Sequence, residues 1–231
     1  LQSTEAVYTR FDTVAQLTHG VAELLAEQAI VGWFQGRMEF GPRALGGRSI
    51  LGDPRADSTQ KIMNLKTKHR ESFRPFAPSV LAEHAADYFD LPGDNESPYM
   101  LLVAQVAQAK RLTVNDAQTG FEQLYQRRST IPAVTHVDYS ARVQTVDRTR
   151  DPLFHELISA FHQITGCPMV VNTSFNIRGE PIVCSPEDAY RCFMATHMDV
   201  LVMGSYVLRK SEQPEMSPFA ASQYRNSFEL D

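Results

Sequence analysis

Residues 30–52 read Ile30-Val31-Gly32-Trp33-Phe34-Gln35-Gly36-Arg37-Met38-Glu39-Phe40-Gly41-Pro42-Arg43-Ala44-Leu45-Gly46-Gly47-Arg48-Ser49-Ile50-Leu51-Gly52. Two short apolar runs, 30–34 and 48–52, have the length and β-branched or aromatic content of buried strands. Between them lies a loop built on Gly36, Gly41, Pro42, Gly46 and Gly47, residues that break regular structure. α/β proteins place ligands at such strand-end loops. Glycine lets a ligand come close to backbone N–H groups. Arg37, Arg43 and Arg48 add guanidinium forks that match phosphate or carboxylate oxygens. The loop therefore reads as an anion site. The commoner fate of a Gly/Arg loop is a turn with solvated arginines.

Charge distribution favours the anion. Residues 37–74 hold nine Lys or Arg against four acids, in a chain of formal net charge −5. A basic segment on an acidic protein fits a small anionic ligand better than a nucleic-acid surface, which would make the whole domain basic. Some of these charges, Lys61 and Lys66 among them, serve only to solvate a helix over 57–69.

The chain has 231 residues, 43% hydrophobic and 21% charged, an ordinary globular composition. It shows no apolar run long enough for a membrane span and no signal-peptide pattern. Cys167, Cys184 and Cys192 form no metal-type pair and no disulfide framework, which suits a reducing cytoplasm.

Strands alternate with helices along the chain. A helix runs through Val14, Leu17, Val21, Leu24 and Leu25, with Asp12 or Thr13 as its cap. After the loop come a helix over 57–69, a strand over 76–81, a short helix over 82–90 and a strand over 99–106. Residues 107–129 read as a mobile connection. Segments 131–137 and 141–146 read as a hairpin. A helix over 152–165, a strand over 169–172, a helix over 186–197 and a strand over 199–208 complete the pattern. The expected fold is α/β or α+β with an open mixed sheet, in a single domain with a peripheral N-terminal helix and a polar C-terminal tail over 209–231.

Two further segments carry chemistry-bearing residues. Lys66-Thr67-Lys68-His69-Arg70 precedes Arg74, so Lys68, Arg70 and Arg74 could hold a polyphosphate; a basic helix end complementing the helix dipole is the plainer alternative. Val171-Asn172-Thr173-Ser174-Phe175-Asn176 follows a buried strand, and Ser174 and Asn176 offer groups for phosphate or ribose, or merely cap a turn. Thr135 and His136 could border the same cleft. His155 and His162 read as helix-surface or packing residues. No metal site is expected. P-loop, dinucleotide and His-Glu-x-x-His signatures are absent from the sequence.

Together these segments resemble the C-terminal domain of the NodU/TobZ-type O-carbamoyltransferases. The run from Gly36 to Ile50 carries most of the likeness. Segments 73–78, 132–138, 141–146 and 172–183 add to it in the same order, so the resemblance spans about residues 20–208. It implies a YrdC-like open twisted mixed sheet. It also implies binding of ATP, with Mg²⁺, and of carbamoyl phosphate, and formation of carbamoyl adenylate. By this resemblance Arg43, Arg48, Lys68 and Arg74 carry the chemistry, and Arg37, Arg70, Thr135, His136, Ser174 and Asn176 bind the nucleotide. Transfer to an acceptor hydroxyl would need an N-terminal domain of actin/hexokinase type, whose metal-binding histidine motif has no counterpart here. The alternative is a YrdC-like module that binds a nucleotide or RNA without chemistry.

Overall fold

The computed structural model describes residues 5–94, 96–115, 117, 119–120, 124 and 126–228. An eight-stranded mixed sheet forms its frame. In chain order the strands are β1 (Thr9–Arg10), β2 (Val31–Phe34), β3 (Arg48–Gly52), β4 (Ala77–Leu81), β5 (Phe89–Asp90), β6 (Val103–Val106), β7 (Ser140–Arg142), β8 (Gln144–Val146), β9 (Met169–Ser174), β10 (Val200–Met203) and β11 (Tyr206–Arg209). The large sheet runs β1-β11-β10-β2-β3-β9-β4-β8, and β5-β6-β7 form a second, smaller sheet. β10/β2 and β4/β8 pair in parallel, and the other ladders are antiparallel. This is the open, mixed α/β architecture expected from the sequence.

The main helices are α1 (Val14–Ala26), α2 (Asp57–Ile62), α3 (Ala85–Tyr88), α4 (Pro152–Thr165), α5 (Pro186–Ala195) and α6 (Pro218–Asn226). α1 begins at Thr13, whose side chain accepts from Gln16 N. α4 begins where Asp151 accepts from Phe154 N and Pro152 takes the first turn; it ends at Gly166, which has φ +72°, the left-handed conformation that suits glycine. Ser185 and Asp188 form a capping box on α5. α1 and α4 pack side by side. Leu25, Phe154 and Phe161 on these helices share one apolar cluster with Trp33, Ile50, Val170 and Leu201 on the large sheet. The N-terminal helix is thus part of the core layer rather than peripheral.

Other differences from the sequence reading have local causes. The strand expected over 99–106 forms only from Val103. Met100 has φ +53°, which breaks extended structure. Segments 131–137 and 141–146 are not a hairpin. Pro132–Val134 is a 3₁₀ turn, because Pro132 has no N–H to give a ladder. The chain changes sheets at Val143: β7 pairs with β6, and β8 with β4. The helix expected over 57–69 stops at Ile62 and continues as a π turn over Met63–Thr67. Segment 82–90 splits into a 3₁₀ turn, α3 and β5. The final strand is the β10–β11 hairpin, turning at Gly204 (φ +58°). The tail carries α6, capped by Ser217. The connection over 107–129 falls partly outside the described residues, as does the side chain of Lys66; a bridge joins Arg111 to Ser129. Among the described residues no helix is long and apolar enough to cross a membrane.

Candidate functional site

The loop after β2 is built around its own anion. Glu39 Oε1 accepts from Leu45 N at 2.6 Å, Gly47 N at 2.7 Å and Arg48 N at 3.4 Å. The N–H groups expected to face a ligand are therefore filled by a carboxylate of the chain. Gly46 makes the fold possible. It has φ +120°, and a Cβ there would lie 2.6 Å from the Phe154 ring.

The three arginines of this loop have separate fates. Arg48 is buried, 5% exposed. Its Nη1 donates to Gln35 O and Gly47 O at 3.0 Å, and its Nη2 to Gly36 O at 3.2 Å and Cys184 O at 3.5 Å. Its guanidinium lies 3.5 Å from the centre of the Phe34 ring. Burial lowers its pKa, although an arginine keeps its proton in proteins. Expected to hold phosphate, Arg48 is turned inward: only its Nε lacks a partner among the described residues, and its terminal nitrogens fasten the loop. Arg37 is exposed, on the rim of a 630 Å³ pocket with Tyr99 and Asp151. Arg43 is half-buried; its Nε is buried, and its side chain makes no hydrogen bond among the described residues.

Arg142, at the end of β7, lies within electrostatic range of Arg43. Its Nε too is buried, and its side chain makes no hydrogen bond among the described residues. Burial, then the charge of Arg43, lowers its pKa. Two like charges with unused donors form a local concentration of positive potential that an anion would relieve. In the sequence Arg142 stands out only as part of segment 141–146. Its signal was an arginine between Ala141 and Val143, both buried.

The second segment gathers around Lys68. The π turn delivers it, and His69 follows with φ +50°. Such departures from regular geometry recur at functional sites. Lys68 is 5% exposed. Its Nζ donates to Ser174 O at 2.5 Å, Asn176 O at 2.8 Å and Asn176 Oδ1 at 2.7 Å, with Ser174 Oγ at 3.3 Å. Ser174 Oγ also donates to Asn176 Oδ1 at 2.7 Å. Lys68, Ser174 and Asn176 thus meet, but the ammonium is saturated by protein oxygens. Burial, then the nearby Arg70, pulls the Lys68 pKa down to about 7.

Arg70 Nε donates to Asn64 Oδ1 at 2.6 Å, and its guanidinium lies 4.9 Å from the Phe76 ring centre. Burial, then Arg74, lowers its pKa to about 10. Arg74 is more exposed and pairs with Glu71 at 3.2 Å.

β9 joins the two segments. Asn172 Nδ2 donates to Ala44 O at 3.1 Å, Ser79 Oγ at 2.9 Å and Gln144 Oε1 at 3.0 Å. Gln144 Nε2 donates to Leu45 O at 2.8 Å. Asn172 and Ser174, two residues apart on one strand, face the same side. The chain next to Arg43 and the Lys68 cluster therefore share one end of β9.

Thr135 and His136 sit elsewhere on the rim. The Thr135 hydroxyl shares a hydrogen bond with Ser129 Oγ at 2.7 Å and donates to Ile131 O at 2.9 Å, so it holds its own turn. His136 Nδ1 lies 3.2 Å from Asp138 Oδ1. Both residues line a 400 Å³ cleft with Arg74, Gln60 and Arg127. His155 pairs with Glu83 at 2.9 Å, and His162 stacks edge-on against His84. Among the described residues no cluster of three or more His, Cys, Asp or Glu could hold a metal ion. Cys167 and Cys192 are buried and free, and Cys184 is exposed and free.

The carbamoyltransferase C-terminus family model matches residues 22–210. The chain belongs to that family. It is 55% identical over 98% of its length to an uncharacterised protein of Synechocystis, of which it covers 37%. It is 42% identical to the nodulation protein NolO of Bradyrhizobium diazoefficiens over 92% of the chain and 36% of that protein. It is 33% identical to the 3'-hydroxymethylcephem-O-carbamoyltransferase of Streptomyces clavuligerus, over 87% of the chain and 34% of that enzyme. The chain thus spans about a third of the length of these relatives.

Proposed function

We propose that this carbamoyltransferase C-terminal domain binds ATP and carbamoyl phosphate and forms carbamoyl adenylate, for transfer to an acceptor hydroxyl by the rest of an O-carbamoyltransferase. The observation that carries the reading is the Arg43–Arg142 pair, two half-buried guanidiniums that make no side-chain hydrogen bond among the described residues. Both co-substrates are phosphate anions, and guanidinium is the side chain suited to their oxygens. Relatives named as carbamoyltransferases supply the group to be moved.

The chemistry asks for positioning and positive charge rather than a covalent nucleophile. Water hydrolyses the mixed anhydride of carbamoyl phosphate, breaking its bond to phosphate and giving carbamate and inorganic phosphate. A carbamate oxygen then attacks the α-phosphorus of ATP, a P–O bond forms, and the bond to pyrophosphate breaks. Arg43 and Arg142 would hold phosphate oxygens where negative charge collects. Arg74, on the cleft edge, would add a third cation once it releases Glu71. Lys68, Ser174 and Asn176 would shape the floor and present backbone and hydroxyl groups to the nucleotide. The donor set is cationic and amidic, so it fits phosphates; Mg²⁺ would be carried by the ATP phosphates themselves. Acceptor binding and the final transfer fall to a partner region of actin/hexokinase type.

ATP–pyrophosphate exchange by the purified chain, with and without carbamoyl phosphate, tests this. Exchange that needs carbamoyl phosphate and fails in Arg43→Ala supports the reading. ATP binding without exchange by the chain, alone or joined to its partner region, supports a non-catalytic nucleotide module instead.

A further inference from the structure

Helix α6 reaches the Lys68 cluster through one buried carboxyl group. Glu180 is 8% exposed. A carboxyl group that deep in the protein is costly unless donors meet it. Three do. Ile177 N donates to Oε2 at 2.8 Å, the Cys192 thiol donates to Oε2 at 3.4 Å, and the Tyr224 hydroxyl donates to Oε1. Burial raises the pKa of both the Cys192 thiol and the Tyr224 hydroxyl, which keeps both groups protonated as donors. Ile177 belongs to the turn that holds Lys68. Glu180 closes that turn from the other end, its carbonyl accepting from Asn176 Nδ2 at 2.6 Å. Asn176 Oδ1 in turn receives Lys68 Nζ and Ser174 Oγ.

Tyr224 comes from α6, 44 residues beyond Glu180. α6 packs against α5, which carries Cys192, and the Tyr224 ring meets Phe228 edge-on at 5.2 Å. The ring is anchored by packing while the hydroxyl makes one directed contact.

We infer that Tyr224 is a positioning residue: by fixing Glu180 it orders the 174–180 turn and thereby holds Lys68, Ser174 and Asn176 in place. The tail is then a strap over the site's floor rather than a passive arm. The functional consequence rests on the nucleotide reading above; the ordering itself does not.

The test is side-chain NMR of the lysine ammonium groups at pH 6, with the Lys68 signal assigned by its loss in Lys68→Met. Tyr224→Phe removes only the hydroxyl. It should speed Lys68 ammonium proton exchange about five- to tenfold, the worth of one hydrogen bond to a buried polar group. Phe228→Leu, which loosens α6 packing but keeps the hydroxyl, should leave that exchange within about twofold of wild type. Equal exchange in Tyr224→Phe and wild type overturns the inference. So does an equal effect of Phe228→Leu, which would mean packing alone. An undetectable Lys68 ammonium in wild type also overturns it, since there would be no held group to position. If pyrophosphate exchange fails in wild type, alone and joined to its partner region, while Tyr224→Phe changes the Lys68 signal, the adenylate-forming reading falls and the strap stands.

Discussion

Arg48 and Arg43 leave the same loop five residues apart and do opposite work. Arg48 gives its guanidinium to four backbone carbonyls and a ring face. Arg48 leaves only its Nε unmet, whereas Arg43 and the nearby Arg142 make no side-chain hydrogen bond among the described residues. The Lys68 ammonium is likewise held by the protein, with four protein oxygens around its Nζ. A protein builds such saturated groups into its frame, because leaving a buried donor unmet costs free energy. Unmet donors grouped at one place point to an external acceptor. The difference teaches that a cationic motif marks a site only where the fold leaves its donors unused.

Substitutions can break this contrast. The largest stability loss is expected for Arg48→Met, which strips four carbonyls of a buried charged donor. About 3 kcal/mol is the scale, from a net 1.5–3 kcal/mol for a bond to a charged group, read as a lowered denaturant midpoint. An unchanged midpoint would remove Arg48 from the frame. Glu39→Gln comes next. Its amide can keep one acceptor but loses the charge that meets three N–H groups, so about 1–2 kcal/mol is expected by the same measurement. Arg37→Ala should change stability by less than about 0.5 kcal/mol, since Arg37 is exposed on the pocket rim. A larger effect would mean that the loop's outer arginine is also structural.

Lys68 gives a pH test. Its pKa in the fold, about 7, lies below the usual value for an unfolded chain of roughly 10.4. Between these values the unfolded state binds more protons, so this group's contribution to stability rises with pH. Below about pH 7 both states are charged and burial of the ammonium is a full cost. The stability of wild type relative to Lys68→Met should therefore grow from pH 7 to pH 9 in chemical denaturation. A flat or falling difference would show that the four surrounding oxygens keep the ammonium charged.

Much of the frame was legible in the sequence. The strands over 30–34 and 48–52 and the helix over 152–165 carry unambiguous period, caps and breakers, and each formed within a residue or so of its reading. The hairpin was misread because apolar residues on either side of Val143 serve two different sheets, which local pattern does not encode. The motifs were also legible as motifs. Lys68, Ser174 and Asn176 came together from separate segments. What the pattern could not show was direction. Glu39, lying inside the Gly/Arg loop, reads in sequence as one of the four acids of 37–74, yet it fills the N–H nest. Arg142 was hidden in a strand, and Tyr224 in a segment whose polarity suggested only a tail. Arg142 and Tyr224 depend on partners distant in sequence, and Glu39 on how its own loop turns.

The most direct test of the central contrast is a calorimetric titration of ATP and of carbamoyl phosphate into Arg43→Met and Arg142→Met, each with its denaturant midpoint. The account predicts affinity lower by about tenfold or more for at least one co-substrate, the worth of one charge-assisted contact, with stability unchanged or raised. Full affinity in both variants would contradict it, and the unmet arginines would then not be where the anion binds.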